Sequence, residues 1–428
     1  MKYFSTNRKS PVVTFREAVI KGQPPDKGLY FPEQIPTVSS ESLREKSKAE
    51  IAFEVIKPYV GGEIDEETLF RICSETVDFD FPVVKISENI FALELFHGAT
   101  FAFKDVGARF MSRCLQYFSG ETGEKTIVVV ATSGDTGGAV AAGFLGVEAV
   151  EVVILYPSGK VSKLQELQLT ALGQNITALE VAGSFDDCQR LAKQALADEE
   201  LKKRVFLTSA NSINVARWLP QQFYYFYALQ QWREENLPVI SVPSGNFGNI
   251  CAGLLANVSG LPARHFIAAC NANDVVPKFL QSGELVEQLS VATLSNAMDV
   301  ANPSNFVRIL ELFDGDAEVL KAKMSAVSIS DEITANTMRR VFGQYGYVLD
   351  PHAAVGFYAL ENYLEKNPNE KGFFLATAHP AKFDSVKEIV GTFGKTPEAV
   401  KDLFSRPKQS TEMPDDYEIL KEILLSKI

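Results

Sequence analysis

The chain has 428 residues, 46% of them hydrophobic and 22% charged, and its net charge is −12 at pH 7. That length can bury a large core in two or three domains or subdomains, and the acidic balance excludes nonspecific binding to nucleic acid or anionic membranes. The five widely spaced cysteines and four histidines show neither a disulfide framework nor metal-ligand spacing, so no metal is predicted and a reducing compartment fits.

The N-terminus, Met1-Lys-Tyr-Phe-Ser-Thr-Asn-Arg-Lys, lacks an apolar signal core, and no stretch approaches the ~20 apolar residues of a membrane span. The chain is expected in the cytoplasm. Residues 1–85 are short segments broken by Pro11, Pro24, Pro25, Pro32 and Pro36, with helical patterns around Ser42–Lys57 and Asp65–Cys73. They are expected to form a small N-terminal domain.

The run Glu94-Leu-Phe-His-Gly-Ala-Thr-Phe-Ala-Phe-Lys-Asp105 is nearly apolar and ends in a single lysine, Lys104. Among Phe101, Ala102 and Phe103 that lysine is poorly hydrated, and burial disfavours its charge. A neutral amine is a nucleophile, used most often in a Schiff base with a carbonyl or with pyridoxal phosphate. On this segment alone the plainer reading is a snorkelling lysine at the end of a buried strand, paired with Asp105.

From about residue 90 strands and helices alternate. Thr126–Thr132 reads as a buried strand that enters Ser133-Gly-Asp-Thr-Gly-Gly138 and an alanine-rich helix, Ala139–Leu145. Strands follow at Glu151–Tyr156 and Asn175–Val181, with a helix at Ser162–Leu172 stopped by Gly173, and Ser184 with Asp187 as caps of the next helix. The recurrence at roughly 25–30 residues implies βαβ crossovers and a mostly parallel sheet. A helix is predicted over Ile213–Trp232; its cluster Phe223–Tyr227 reads as buried packing, not base stacking.

Pro238–Asn249 reads as a strand, a glycine loop and a helix start. The loop Ser244-Gly-Asn-Phe-Gly-Asn249 offers a row of N–H groups to an anion, strengthened by the helix N-terminus. It matches neither common nucleotide motif. Joined with a Schiff-base lysine, it suggests a cofactor carrying both an aldehyde and a phosphate. Further on, a strand at Arg264–Ala269, a helix near Asp274, and a polar stretch over 282–330 lead to helices at Asp331–Tyr345 and Pro351–Glu365. A strand at Lys371–Thr377 comes last, and the tail beyond about 395 is expected to be helices on the surface. Lys104, the Ser133–Thr136 loop, the Asn211 loop, the 245–249 loop and Thr377 all fall at the carboxyl ends of strands, where open parallel sheets bind ligands.

Five blocks now stand in order: Glu94–Asp105, Ala131-Thr-Ser-Gly-Asp-Thr-Gly137, Ser209-Ala-Asn-Ser-Ile-Asn214, Ser244–Asn249 and Thr377-Ala-His-Pro-Ala-Lys-Phe383. Together they resemble the threonine synthase family, in its long bacterial and fungal branch, within the fold-type II (β-family) pyridoxal-phosphate enzymes. The resemblance spans nearly the whole chain. One departure is Ala99, where the family usually has proline.

The resemblance implies an α/β fold of two parallel-sheet lobes with the site between them. It implies an N-terminal domain over 1–85 and a catalytic domain over 86–395, whose small mobile lobe (about 105–215) is inserted in the large one. A helical C-terminal tail over 396–428 completes the chain. The implied reaction converts O-phospho-L-homoserine and water to L-threonine and phosphate on pyridoxal 5'-phosphate. Lys104 is the implied Schiff-base lysine and the acid/base at Cα and Cβ. Gly245, Asn246, Phe247, Gly248 and Asn249 resemble the cofactor's phosphate cup, and Thr377 the residue that meets its pyridine nitrogen. Thr132, Ser133, Gly134, Asp135 and Thr136 resemble the loop for the substrate carboxylate. Asp135, being anionic, suits the amino group, a loop N–H or the cofactor hydroxyl, or else caps the next helix with Thr136. Asn211, Ser212 and Arg217 resemble the grip on the substrate phosphate; the plain alternative for Arg217 is a surface ion pair.

His97 and His379 read equally as phosphate-orienting or packing residues, and Asp105 with Arg109 as a helical ion pair. A monomer or homodimer acting on a small molecule is expected. Two other functions remain open: a phospholyase ending at 2-oxobutyrate, and a metabolite-binding pseudoenzyme.

Overall fold

Runs of β-branched residues nucleate the strands, and the chain visits the sheets in an order that decides where the site lies. The computed structural model describes all residues except 123, 124, 133, 287, 396 and 428. Strands β1 (Lys2–Ser5), β2 (Val13–Thr14) and β3 (Tyr30–Pro32) make a small antiparallel N-terminal sheet. The chain then enters a large sheet with β4 (Val83–Lys85) and β5 (Ile90–Glu94). It leaves to build a small sheet from β6 (Thr126–Ala131), β7 (Val150–Pro157), β8 (Ile176–Ala182) and β9 (Phe206–Thr208). It returns to the large sheet with β10 (Val239–Pro243), β11 (His265–Cys270), β12 (Met324–Ser328) and β13 (Gly372–Ala376). A last strand, β14 (Thr411–Pro414), rejoins the small sheet.

The large sheet runs β12-β11-β10-β13-β5-β4, parallel but for β4, and the small one β14-β8-β7-β6-β9, parallel throughout. The N-terminal segment shares one continuous core with both sheets: Tyr3, Ile51 and Tyr59 belong to the same buried cluster as Val128, Ile154 and Leu375. Among the described residues no helix is long and apolar enough to cross a membrane.

Several expectations change. The helix expected over 213–232 is broken into Val215–Trp218, a 3-10 turn at Leu219–Gln221 and a helix at Gln222–Gln231. Pro220 lacks the N–H a continuous helix needs. The polar stretch over 282–330 carries helices at Phe306–Leu312 and Ala317–Lys323 and the edge strand β12. The C-terminal tail is not only helical. β14 pairs with β8, and the helix Tyr417–Leu425 seals the small sheet by burying Leu420 and Leu424 beside Leu179, Val181 and Leu191.

The tail is therefore part of the small sheet's core. Leu424→Ala removes a fully buried side chain, at a cost of about 2–5 kcal/mol. The urea unfolding midpoint should fall accordingly, and an unchanged midpoint would show that the tail only rests on the surface.

Candidate active site

β5 ends at Glu94, and the chain needs a rigid bridge to the helix Lys104–Thr122. Two sets of hydrogen bonds supply it. Phe103 N–H donates to Thr377 O at 2.8 Å and His379 N–H to Phe101 O at 3.0 Å, clamping the bridge to the end of β13. Asp105, buried, accepts from Thr100 N–H at 2.8 Å and from the Thr100 hydroxyl. Glycine is required at 98 because a Cβ there would collide with the Asp105 carboxylate. Lys104 is thus the first residue of a helix, not the last of a strand, and Asp105 turns away from it. The expected Asp105–Arg109 ion pair does not form: Arg109 reaches Asp78 and the Glu75 carbonyl instead, because Thr100 already satisfies Asp105.

The Lys104 side chain keeps some solvent contact but is enclosed by protein, with Nζ 5.8 Å from the Phe103 ring centroid. Its pKa is lowered. Burial is the main cause; Asp135 opposes the shift, and Lys382 and Arg217 add to it. The structure therefore gathers Lys104, Asp135, Arg217 and Lys382 in one place.

At the end of β10 the chain turns into the helix Gly248–Val258 through Phe247, whose φ of 59° is left-handed. Gly245 has no room for a side chain, since a Cβ would lie 2.5 Å from Met298 Cα. The Asn246 amide donates to Ser212 Oγ at 2.6 Å, tying this loop to the Asn211–Ser212 loop. Asn249 accepts from Tyr225 OH at 2.7 Å through Oδ1, while its buried Nδ2 has no partner. A bare buried donor at a helix start beside a glycine cradle fits an anionic phosphate.

A second anion position follows β9. Arg217 is only 3% exposed. Its Nη1 donates to Ala210 O, its Nε has no partner, and no carboxylate pairs with it among the described residues. Burial brings its pKa down to about 10. Asn211 Oδ1 is also buried without a partner; as an acceptor it does not itself bind an anion. The surface ion pair is thereby excluded: the guanidinium is enclosed, and its unpartnered Nε fits an anion.

The loop after β6 is organised from within. Thr132 Oγ1 accepts from Gly134 N–H and Gly137 N–H, both at 2.9 Å. Asp135 does not cap the helix it opens; its Oδ1 accepts from Gln165 Nε2 at 3.0 Å and pairs with Lys382 Nζ at 2.9 Å. Burial opposes its charge, but Lys382, Lys104 and Gln165 together hold its carboxyl well below the usual range. Thr136 is half-buried, and Ser133 lies outside the described residues.

Thr377 is buried at the end of β13. Beyond it, His379 Nδ1 accepts from Ala381 N–H at 3.1 Å, and His97 Nε2 bonds Glu94 at 2.7 Å. Both histidines have structural partners. Lys382 was missed from sequence, although it is the one lysine of the last block. Its full burial is what marks it.

Comparison with known proteins agrees with this arrangement. A family model described as pyridoxal-phosphate dependent enzyme matches residues 79–376, and models for the threonine synthase N terminus and C-terminal region match 2–77 and 353–424. The threonine synthase of Escherichia coli K12 is 43% identical over 432 residues, covering 100% of both chains. The chain belongs to the threonine synthase family. The crystal structure of the Escherichia coli threonine synthase superposes with a TM-score of 0.92 at 42% identity, over 100% of both chains. A pyridoxal-phosphate-bound threonine synthase from Brucella melitensis superposes at 0.93 with 36% identity, over 99% of this chain and 98% of that one. Like other members, this threonine synthase family chain is a lyase that uses pyridoxal phosphate.

Gly245→Ala should push the loop off Met298 and weaken retention of the cofactor during dialysis, read from the fall in visible absorbance; full retention would remove the loop from the cofactor site. Asp135→Asn leaves Lys382 buried without its anion, at a cost of about 3–5 kcal/mol at neutral pH. Because the folded Asp135 pKa is depressed, its stabilisation is present above the unfolded value of ~3.9 and is lost as pH falls through the folded value. Urea midpoints of wild type and variant should therefore differ at pH 7 and converge only in strong acid.

Proposed function

We propose that the chain converts O-phospho-L-homoserine and water to L-threonine and inorganic phosphate. The observation that carries this reading is Arg217, a buried guanidinium with an unpartnered Nε and, among the described residues, no carboxylate partner, close enough to lower the Lys104 pKa. A phosphate on the substrate gives that cation a partner it otherwise lacks among the described residues. When bound, pyridoxal phosphate supplies an aldehyde that captures amines and a ring that accepts electrons.

The chain's own residues do the rest. Asn249 and the N–H groups of Gly245–Gly248 would hold the cofactor phosphate, and Thr377 would offer a neutral hydroxyl to the pyridine nitrogen. Lys104, whose charged form is disfavoured by burial and nearby cations, takes and returns protons at substrate Cα and Cβ. Arg217, with Asn211 and Ser212, grips the substrate phosphate and stabilises its charge as it departs. The Asp135–Thr136 turn, with the Thr136 hydroxyl, receives the substrate carboxylate, since the Thr132 and Gly134 N–H groups are bonded to Leu155 O and Thr132 Oγ1; Asp135 itself is engaged by Lys382 and does not repel it.

A monomer or a homodimer is proposed. The five free, buried cysteines suit a reducing, cytoplasmic setting.

An NMR assay of O-phospho-L-homoserine with the holoenzyme should yield threonine and phosphate. Phosphate with 2-oxobutyrate would make the chain a phospholyase, and no phosphate release would reject the substrate. Lys104→Ala should abolish turnover, whereas a metabolite-binding pseudoenzyme would keep its function. Arg217→Ala should lower kcat/KM by roughly 10²–10³-fold and leave cofactor absorbance intact; loss of the cofactor instead would move Arg217 to the other anion position.

A further inference from the structure

The Asp135–Lys382 pair joins the loop ends of two different sheets. Asp135 opens the helix after β6, and Lys382 lies in the short turn after β13. Both side chains are buried, the ammonium completely. Lys382 Nζ also donates to Thr100 O at 2.7 Å. Thr100 is the residue that holds Asp105, so the ammonium is anchored on the bridge that ends in Lys104. The surroundings fix it further: Ser162 Oγ donates to Lys382 O at 3.0 Å and Gln168 Nε2 to Thr100 O at 3.0 Å.

The charges facing Lys104 come from every element around it. Asp135 is the carboxylate on the small-sheet side, Lys382 is the cation on the large-sheet side, and Arg217 is a second cation after β9. Asp105, next in the chain, is spent on Thr100, and the Tyr224 hydroxyl on the Phe103 carbonyl. A buried ion pair contributes little to stability over an apolar replacement, so its placement calls for another reason.

We infer that Lys382 is a positioning residue: anchored between the Thr100 carbonyl and Asp135, it cancels the carboxylate charge that faces Lys104 and disfavours a proton on the Lys104 nitrogen. Without Lys382, the Asp135 anion would hold a proton on Lys104. Without Asp135, Lys382 and Arg217 together would expel that proton more strongly. The inference rests on Lys104 as the cofactor-bearing lysine but not on the choice of substrate.

The test is a pH titration of the visible absorbance of the holoenzyme, wild type against Lys382→Met, Asp135→Asn, the double variant and Lys382→Arg. The titration midpoint should rise by roughly one unit or more in Lys382→Met and fall in Asp135→Asn. The double variant and Lys382→Arg should stay near wild type. A merely structural role would lower cofactor content without moving the midpoint in opposite directions. Midpoints that stay put, or move the same way in both single variants, overturn the inference. Should Lys382→Met fail to fold, Asp135→Asn against the double variant decides: a lower midpoint in the single variant supports it, and equal midpoints overturn it. Wild-type protein without cofactor absorbance would overturn the cofactor assignment as well.

Discussion

A lysine enclosed beside two other cations must be held by something other than its own charge, and here the backbone holds it. The bridge from β5 is fastened by Phe103 N–H to the Thr377 carbonyl and by Thr100 to Asp105. Those bonds place Lys104 at the first turn of a helix, within reach of the loop ends of both sheets. They also place Thr377, the residue at the end of β13, directly against the bridge. In the proposed function the cofactor's two ends would be served by one rigid unit: the Lys104 amine on the bridge and the Thr377 hydroxyl at the end of the strand that clamps it.

The same economy governs the anion positions. Arg308 is fully buried and, like Arg217, donates to backbone oxygens, without a carboxylate partner among the described residues. It reaches Tyr30 O at 3.0 Å, Ile213 O at 2.6 Å and Asn305 Oδ1 at 2.7 Å, with its guanidinium 4.4 Å from the Trp218 ring centroid. Asn305 in turn donates to Asn246 O at 3.1 Å. One side chain thus ties the N-terminal sheet, the Asn211–Ser212 loop and the cofactor loop together. This explains why the N-terminal segment shares its core with the sheets: it buttresses the site from behind. Two buried guanidiniums and one shared ammonium give an acidic protein the local positive field its anionic ligands need.

The parts of the fold legible in sequence were those with strong local patterns. Val128–Val130 and Val152–Ile154 have no plausible state but a buried strand, and Ser184 with Asp187 forms the capping box their spacing implied. Gly245–Asn249 and Lys104 stand out in the sequence because the chemistry proposed for each needs a specific residue type. What escaped was set by distant partners. Arg109 sits four residues from Asp105, yet the carboxylate was taken by Thr100. β14 is short, exposed and ends in Pro414, and only the open edge of β8 makes it a strand. Lys382 lies 247 positions from Asp135, and nothing local distinguishes it from a solvated lysine.

The most direct test of the account is to reduce the holoenzyme with borohydride, digest it and locate the cofactor by mass spectrometry. The structure holds two enclosed lysines beside Asp135, and their settings differ: burial and neighbouring cations disfavour charge on Lys104, whereas Lys382 is paired directly with Asp135. The account predicts the label on Lys104. A label on Lys382 would contradict it, since the paired ammonium would then be the nucleophile and the electrostatic arrangement described here would be inverted.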